Sequence, residues 1–240
     1  MKQAIPDDWN GLMVVTAERM REIDRLAVDR HDIPALTLME NAGRLAAAET
    51  KALLESRGGV LAESLVTVCC GRGNNGGDGL VVARYLKEAG AEVMAFLAPP
   101  KRDGRYSPEV QENLRRAVAA GVSIHQASEE LVELDVRVRS SAIVVDALLG
   151  TGATGKPAGP VHKMIQSINK AGKPVVAVDI PSGLNPDTGH HSGVVVTAAL
   201  TLALGLPKRG LLAVHAQRYV GTLKVLDIGF PKELTGSPKA

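Results

Sequence analysis

The chain has 240 residues, 45% apolar and 22% charged, with 25 Gly, 13 Pro and two Cys. That is too long for a disulfide-stapled miniprotein and too apolar for a disordered chain, and it fits one large domain or two small ones, a single core being the default. Its 28 basic and 26 acidic residues are interspersed to a net charge of +2, and one Trp, three Tyr and two Phe are too few for a base-stacking platform, which excludes a nucleic-acid or anionic-membrane footprint.

The N-terminus lacks the apolar stretch of a signal peptide, and no apolar run reaches the roughly 18 residues of a membrane span. Two helices are expected first, one from Thr16 as N-cap to about Arg30. The other runs from Pro34 to about Ser56, with Leu36, Met39, Ala42, Gly43, Ala46 and Ala47 as its apolar stripe. A strand follows at 65–70, then a helix at 79–89 and a strand at 92–98. Ser107-Pro108-Glu109 opens a further helix, 122–125 is a strand, and Ser128-Glu129-Glu130 opens another helix. Strands at 142–148, 174–180, 200–204 and 223–228 complete the set, with helices at 161–171 and 211–219 between them. Cys69 and Cys70 lie inside an apolar run and read as small buried hydrophobes in a soluble, reducing, cytoplasmic protein.

Several strands are continuously apolar, as suits a mainly parallel sheet buried on both faces. Strand followed by helix, repeated, signals an open doubly wound α/β sheet, here with an N-terminal helical addition. No internal repeat or long linker divides the chain, so residues 1–240 are expected to form one domain, with 235–240 a frayed tail.

Ligands of such sheets bind beyond the carboxyl ends of the strands. Gly71-Arg72-Gly73-Asn74-Asn75-Gly76-Gly77-Asp78-Gly79 follows the first strand, and its glycines allow close backbone approach to a phosphate-bearing ligand. It lacks the Gly-Lys-Ser/Thr of the Walker loop, and it matches the dinucleotide pattern by letters alone. Asp146 lies in the apolar run before a second glycine loop, Gly150-Thr151-Gly152-Ala153-Thr154-Gly155-Lys156, and its carboxylate needs a cation or several donors there. Asp179 and Ser182 follow a third strand. Any one strand-end Asp also serves as an ordinary turn cap; three such positions on one sheet edge point to a site. Asn75, Asp146 and Ser182 would together offer only oxygen ligands, which selects a hard cation over zinc or copper. Lys208-Arg209 reads as a solvated turn rather than a phosphate contact, and His190-His191 as solvated surface.

Met39-Glu40-Asn41-Ala42-Gly43, GRGNNGGDG at 71–79, Asp146 to Gly152, DIPSGL at 179–184, Gly205-Leu206-Pro207-Lys208-Arg209-Gly210 and Asp227-Ile228-Gly229-Phe230-Pro231 occur in an order that resembles the NAD(P)H-hydrate epimerases, of the YjeF N-terminal type, from about Thr16 to Pro231. The resemblance implies a Rossmann-like three-layer α/β/α sandwich, a homodimer, and interconversion of the R and S forms of NADHX and NADPHX. These are damaged cofactors hydroxylated at C6 of the reduced nicotinamide ring. It implies substrate-binding loops at Asn74, Asn75, Gly76, Gly77 and Asp78 and at Gly150 to Lys156, with Asp179 contacting substrate. It also implies one potassium ion per subunit on Asn75, Asp146 and Ser182, and work alongside a separate or fused NAD(P)H-hydrate dehydratase. On this footing Asp179 is expected to act as acid on the departing hydroxyl and base for the returning water, with its pKa raised by burial. Where the family commonly carries a carboxylate, a hydroxyl and an aromatic, this chain has Ala199, Ala203 and Leu204. The rival readings are a non-catalytic dimeric scaffold of the same fold, such as serves RNA-decapping factors, and a small-molecule phosphotransferase.

Overall fold

The structure is a computed structural model and describes residues 5–100, 104–127 and 131–236. A two-residue-per-strand hairpin, β1 (Asp8–Trp9) and β2 (Leu12–Met13), precedes helices α1 (Ala17–His31) and α2 (Ala35–Ser56). Thr16 caps α1 by accepting from the Arg19 N–H at 3.1 Å, as its residue type predicts. The alternating segment then runs β3 (Leu65–Cys70), α3 (Asn74–Glu88), β4 (Glu92–Leu97), α4 (Pro108–Ala119), β5 (Ser123–Gln126), α5 (Val132–Ser140), β6 (Ile143–Ala147), α6 (Gly159–Ala171) and β7 (Val175–Val178). After a long irregular crossing come β8 (Leu200–Leu204), α7 (Gln217–Val220), β9 (Thr222–Leu226) and α8 (Lys232–Thr235).

The seven strands from β3 onward form one sheet in the order β5-β4-β3-β6-β7-β8-β9, every pairing parallel. The chain leaves β3 outward to β4 and β5, then returns to lay β6 on the other side of β3. The order therefore reverses between β3 and β6, and a crevice opens there past the strand ends. Both sheet faces are covered, which is why the strands read as unbroken apolar runs. Val66, Val68 and Cys70 point into a core shared with α1 to α4. Cys69 and Val144 point the other way, into a core with Leu134 and Val138 of α5 and Met164, Ile165 and Ile168 of α6. Both cysteines are free and buried.

Strand ends fall within two residues of expectation, and larger differences lie elsewhere. The 211–219 helix is two short 3-10 turns, Arg209–Leu212 and Val214–Ala216, followed by the four-residue α7. The β1–β2 hairpin and α8 carry too little periodicity to be visible in sequence. Thr235, the first residue of the expected tail, ends α8, while 237–240 and the expected cap at Ser128 lie outside the described residues. No described helix is long and apolar enough to cross a membrane.

Candidate active site

The crevice between β3 and β6 is closed at its base by the Gly71 N–H donating to the Ala147 carbonyl at 2.9 Å. Helix α3 starts at Asn74, five residues earlier than its sequence suggests, so the stretch from Asn74 to Asp78 forms the first turns of a helix and not a loop before one. Glycines oppose helix by propensity; tertiary packing overrides that here. A Cβ on Gly76 would lie 1.9 Å from the Gly71 carbonyl oxygen, so only glycine lets the turn close against β3. Gly73 provides no side-chain cap, which leaves the first-turn N–H groups of α3 for an anion. Asn75 is buried, and neither atom of its amide has a hydrogen-bond partner. The buried hydroxyl of Thr151 is likewise unpartnered.

Asp146, wholly buried near the end of β6, is held by donors. Its Oδ1 accepts from the Ser182 hydroxyl at 2.6 Å and the Leu148 N–H at 3.2 Å, and its Oδ2 accepts from the Ser182 N–H at 2.8 Å. The Ser182 hydroxyl oxygen also accepts from the Leu149 N–H at 2.8 Å. Burial pushes the Asp146 carboxyl up to about 6 against the pull of those bonds.

Asp179 leaves β7 with φ +68, a left-handed conformation that Asp tolerates better than most residues. The kink aims Oδ2 at the Thr151 N–H, 2.6 Å away, and Oδ1 at the Lys208 ammonium, 2.5 Å away. Lys208 is 1% exposed and also donates to the Leu204 carbonyl at 2.7 Å. The solvated turn expected at Lys208 is thus corrected. Its backbone bridges to Val15 just ahead of α1, which buries the side chain against the site. The expected elevation of Asp179 is corrected too. Burial alone would raise it, but the Lys208 charge and hydrogen bond and the Thr151 N–H outweigh burial and hold it below the usual carboxylate range. Asp179 is an ionised group, not a resting acid.

Two further carboxyls share this field. Asp78, buried in α3, is pushed well up by burial and by the charges of Asp179 and Asp24, against Lys208. Asp24, on α1, is raised to about 6 by burial, with Lys208 opposing and Asp179 adding. It nevertheless keeps more than a third of its surface open, because the side it exposes faces the cavity.

That cavity has a volume of about 880 Å³, within the range that holds nucleotide-sized ligands. It gathers Asn74, Asn75, Asp78, the turn from Gly150 to Lys156, and Asp179, all expected from sequence, and adds Asp24 and Lys208. Arg21, Arg25, Arg72 and Lys156 bring positive charge to its walls; Leu38, Met39, Leu204, Ile228 and Phe230 give it an apolar side. Gly76, Gly77, Asp146 and Ser182 do not line it. Asn75 and the Asp146–Ser182 pair instead both lean on the turn at 148–150. A Cβ on Gly150 would meet Asn75 Cβ at 3.2 Å, and Leu149 bonds Ser182. The resulting donor set is all oxygen, and the unpartnered Asn75 amide fits a hard monovalent cation. Among the described residues no cluster of three His, Cys, Asp or Glu is placed to hold a metal. His190 stacks on His215 with centroids 4.0 Å apart, and His191 lies 3.0 Å from the Tyr219 hydroxyl. Both edge a smaller adjoining cleft of about 450 Å³.

The family model of the YjeF-related protein N-terminus matches residues 35–210. The NAD(P)H-hydrate epimerase of Elusimicrobium minutum is 40% identical over 223 residues, covering 93% of this chain and 98% of the relative. That of Rhodopirellula baltica is 40% identical over 92% of this chain and 86% of its own length. The bifunctional NAD(P)H-hydrate repair enzyme Nnr of Moorella thermoacetica is 37% identical over 94% of this chain, which spans 42% of that longer protein. Among solved structures, that of yeast ynu0, YNL200c, superposes with a TM-score of 0.74 at 26% identity, over 83% of each chain.

Proposed function

The chain belongs to the family of YjeF-related protein N-termini, and from that membership and its cavity we infer that it is an NAD(P)H-hydrate epimerase, an isomerase of nicotinamide nucleotide repair. It interconverts the R and S forms of NADHX and NADPHX. The observation that carries this reading is the buried Asp179–Lys208 pair, which opens on a dinucleotide-sized cavity beside an uncapped helix N-terminus. A scaffold has no use for an ion pair kept out of water, since such pairs contribute little net stability.

Epimerisation at C6 requires the ring nitrogen to push out the hydroxyl as water and a water to return to the opposite face. The first turn of α3 binds the diphosphate through its free N–H groups, with Arg72 and Lys156 supplying countercharge. The apolar side formed by Leu38, Met39, Ile228 and Phe230 takes the reduced ring and keeps bulk water off it. The ionised Asp179 carboxylate, fixed by Lys208 and Thr151, faces the positive charge that spreads over N1 and C6 as the C–O bond opens. Lys208 keeps Asp179 anionic and oriented.

Asn75, Asp146 and Ser182 would hold one potassium ion per subunit, and the buried, unpartnered Asn75 amide supports that assignment. Bound there, the ion would supply fixed positive charge to the turns that carry these residues. Potassium chloride is then expected to raise the melting temperature above that in choline chloride at equal ionic strength, and Asn75→Leu to abolish the difference. The family resemblance supports a homodimer, checked by sedimentation, and a separate or fused dehydratase that consumes the S form. Two buried free cysteines accord with a cytoplasmic setting.

The test of function starts from pure R-NADHX and follows the S form by chiral chromatography. Appearance of S in proportion to enzyme, above the uncatalysed drift, is the expected result; drift alone would return the scaffold reading.

A further inference from the structure

Helix α1 presents Met20, Arg21, Asp24, Arg25 and Val28 to the cavity, spaced as one helical face, with Asp24 at its centre. The family-model match begins at residue 35, so this wall lies outside it. Among the cavity's cations, the Lys208 ammonium is the one that acts on all three carboxyls, and it is already committed. Lys208 holds Asp179 at 2.5 Å and the Leu204 carbonyl at 2.7 Å. Asp78 and Asp24 are left without a dedicated cation. Of these, Asp78 is 7% exposed within α3, whereas Asp24 is open to the space a bound ring would fill.

We propose that Asp24 is the acid–base residue of the epimerase site, donating a proton to the C6 hydroxyl oxygen and taking one back from the water that returns. In the forward step the Asp24 O–H bond breaks and the proton joins the C6 oxygen. The C6–O bond then breaks with its electron pair leaving on water, and the N1 lone pair forms the N1=C6 bond. In the return step water adds to C6 from the other face, the N1=C6 pair returns to nitrogen, and the excess proton goes to the Asp24 carboxylate. Atoms and charge balance with no external reagent. Asp179 remains ionised throughout, facing the cation, so the two carboxyls divide the labour by environment.

Burial raises Asp24 most, the Lys208 charge opposes it and the Asp179 charge adds to it; Arg21 and Arg25 flank Asp24 on its own helix, and Asp78 of α3 shares the same cavity. Arg72 and Lys156 lie elsewhere on the cavity wall; α2 offers only apolar side chains there, and α8, packed against α1, carries Lys232 and Glu233 on the surface. Burial dominates, so Asp24 holds its proton up to about pH 6 and a working fraction above it.

The inference rests on the epimerase reading, and the experiment separates the two. Background-corrected kcat/KM for R-to-S NADHX is measured from pH 5 to 8.5 for wild type, Asp24→Asn and Asp24→Glu. Wild type is expected to fall about tenfold per pH unit above about 6. Asp24→Asn is expected to lose at least about 100-fold and to show no such limb, with its melting temperature no lower than that of wild type. Asp24→Glu should restore part of the rate together with the limb, which a merely structural role would not do. Asp24→Asn at wild-type rate, or keeping the wild-type limb, overturns the assignment and leaves the epimerase reading intact. A wild-type chain that produces no S form overturns both.

Discussion

Two clusters of charge in this molecule use the same residue types to opposite ends. On the outside of α2, α3 and α4, Glu40 accepts from Arg84 at 2.6 and 2.7 Å and from the Tyr85 hydroxyl at 2.7 Å, with Arg116 at 3.7 Å. Arg84 also reaches Glu88 at 3.3 Å, and Arg116 reaches Glu112 at 2.7 Å. Charges there alternate in sign and each has a partner. Although burial works against them, Glu40 is held below its usual range by Tyr85, Arg84 and Arg116, and Arg84 is raised by its hydrogen bond and charge contact with Glu40 and then by Glu88. Folding and ionisation cooperate. Around the cavity only Asp179 of three carboxyls is paired with a cation, Lys208, and the other two are pushed up. Folding there opposes ionisation. What separates a clamp from a site is therefore whether each carboxyl has a partner, and the unpaired carboxyls are where a transferable proton is kept.

Removing the shared cation is the largest way to break this comparison. Lys208→Met leaves Asp179 buried without its partner and is expected to destabilise the fold by about 3–5 kcal/mol at pH 7, read by urea denaturation, and to abolish epimerisation. Arg84→Met at the clamp should cost about 1–2 kcal/mol and leave the epimerisation rate of the folded protein unchanged. Equal losses at the two positions would erase the distinction. Asp179's lowered pKa gives the sign with pH. Its pairing stabilises above the unfolded carboxyl pKa and is lost as pH falls through the folded value, so the Lys208→Met deficit shrinks on acidification.

Next in size is a change that touches only the site. A Cβ on Gly150 would lie 2.9 Å from Asp179 Oδ2 and 3.2 Å from Asn75 Cβ. Gly150→Ala should therefore lower kcat by about tenfold or more while shifting stability by about 1 kcal/mol or less, since a displacement of under an ångström is enough to misplace a catalytic group.

Much of this was legible in sequence, because it depends on local pattern. Unbroken aliphatic runs gave the parallel strands, and the three strand ends at Gly71, Asp146 and Asp179 do meet at the β3–β6 reversal. Long-range geometry was not legible. Lys208 reads as a turn residue beside Pro207 and Arg209, and only the bridge to Val15, almost two hundred positions earlier, buries it. Inspecting the end of β8 by the rule applied to β3, β6 and β7 would have flagged it. The direction of Asp179's pKa depends on that same distant lysine. Asp24 sits among Arg21, Glu22, Arg25 and Asp29 on a helix whose polar face looks like ordinary surface. Helical spacing identifies the face, and the fold alone decides that part of it looks into a cavity. The early start of α3 was hidden because glycine's propensity argues against helix at the very place where packing admits only glycine.

The smallest effect is also the sharpest, because the two clusters should answer the same chemical change with opposite signs. Glu40→Gln removes a charge that the fold favours. Glu40's lowered pKa means a contribution present above the unfolded value and lost as pH falls through the folded one, so the variant should be less stable by about 1 kcal/mol at pH 7.5 and near wild type in acid. Asp24→Asn removes a charge that the fold resists. With Asp24 raised to about 6, the folded wild type is penalised progressively as pH climbs from about 4, where the unfolded carboxyl already ionises, to about 6, above which the penalty is constant. The variant should thus match wild type at pH 4 and exceed it at pH 7.5, by about 1 kcal/mol once the carboxyl's open side is allowed for. Thermal or urea unfolding at the two pH values decides it. A more stable, catalytically poor Asp24→Asn would mark the cavity carboxyl as kept for chemistry at the expense of the fold; a less stable one would mean that Asp24 belongs with the clamp.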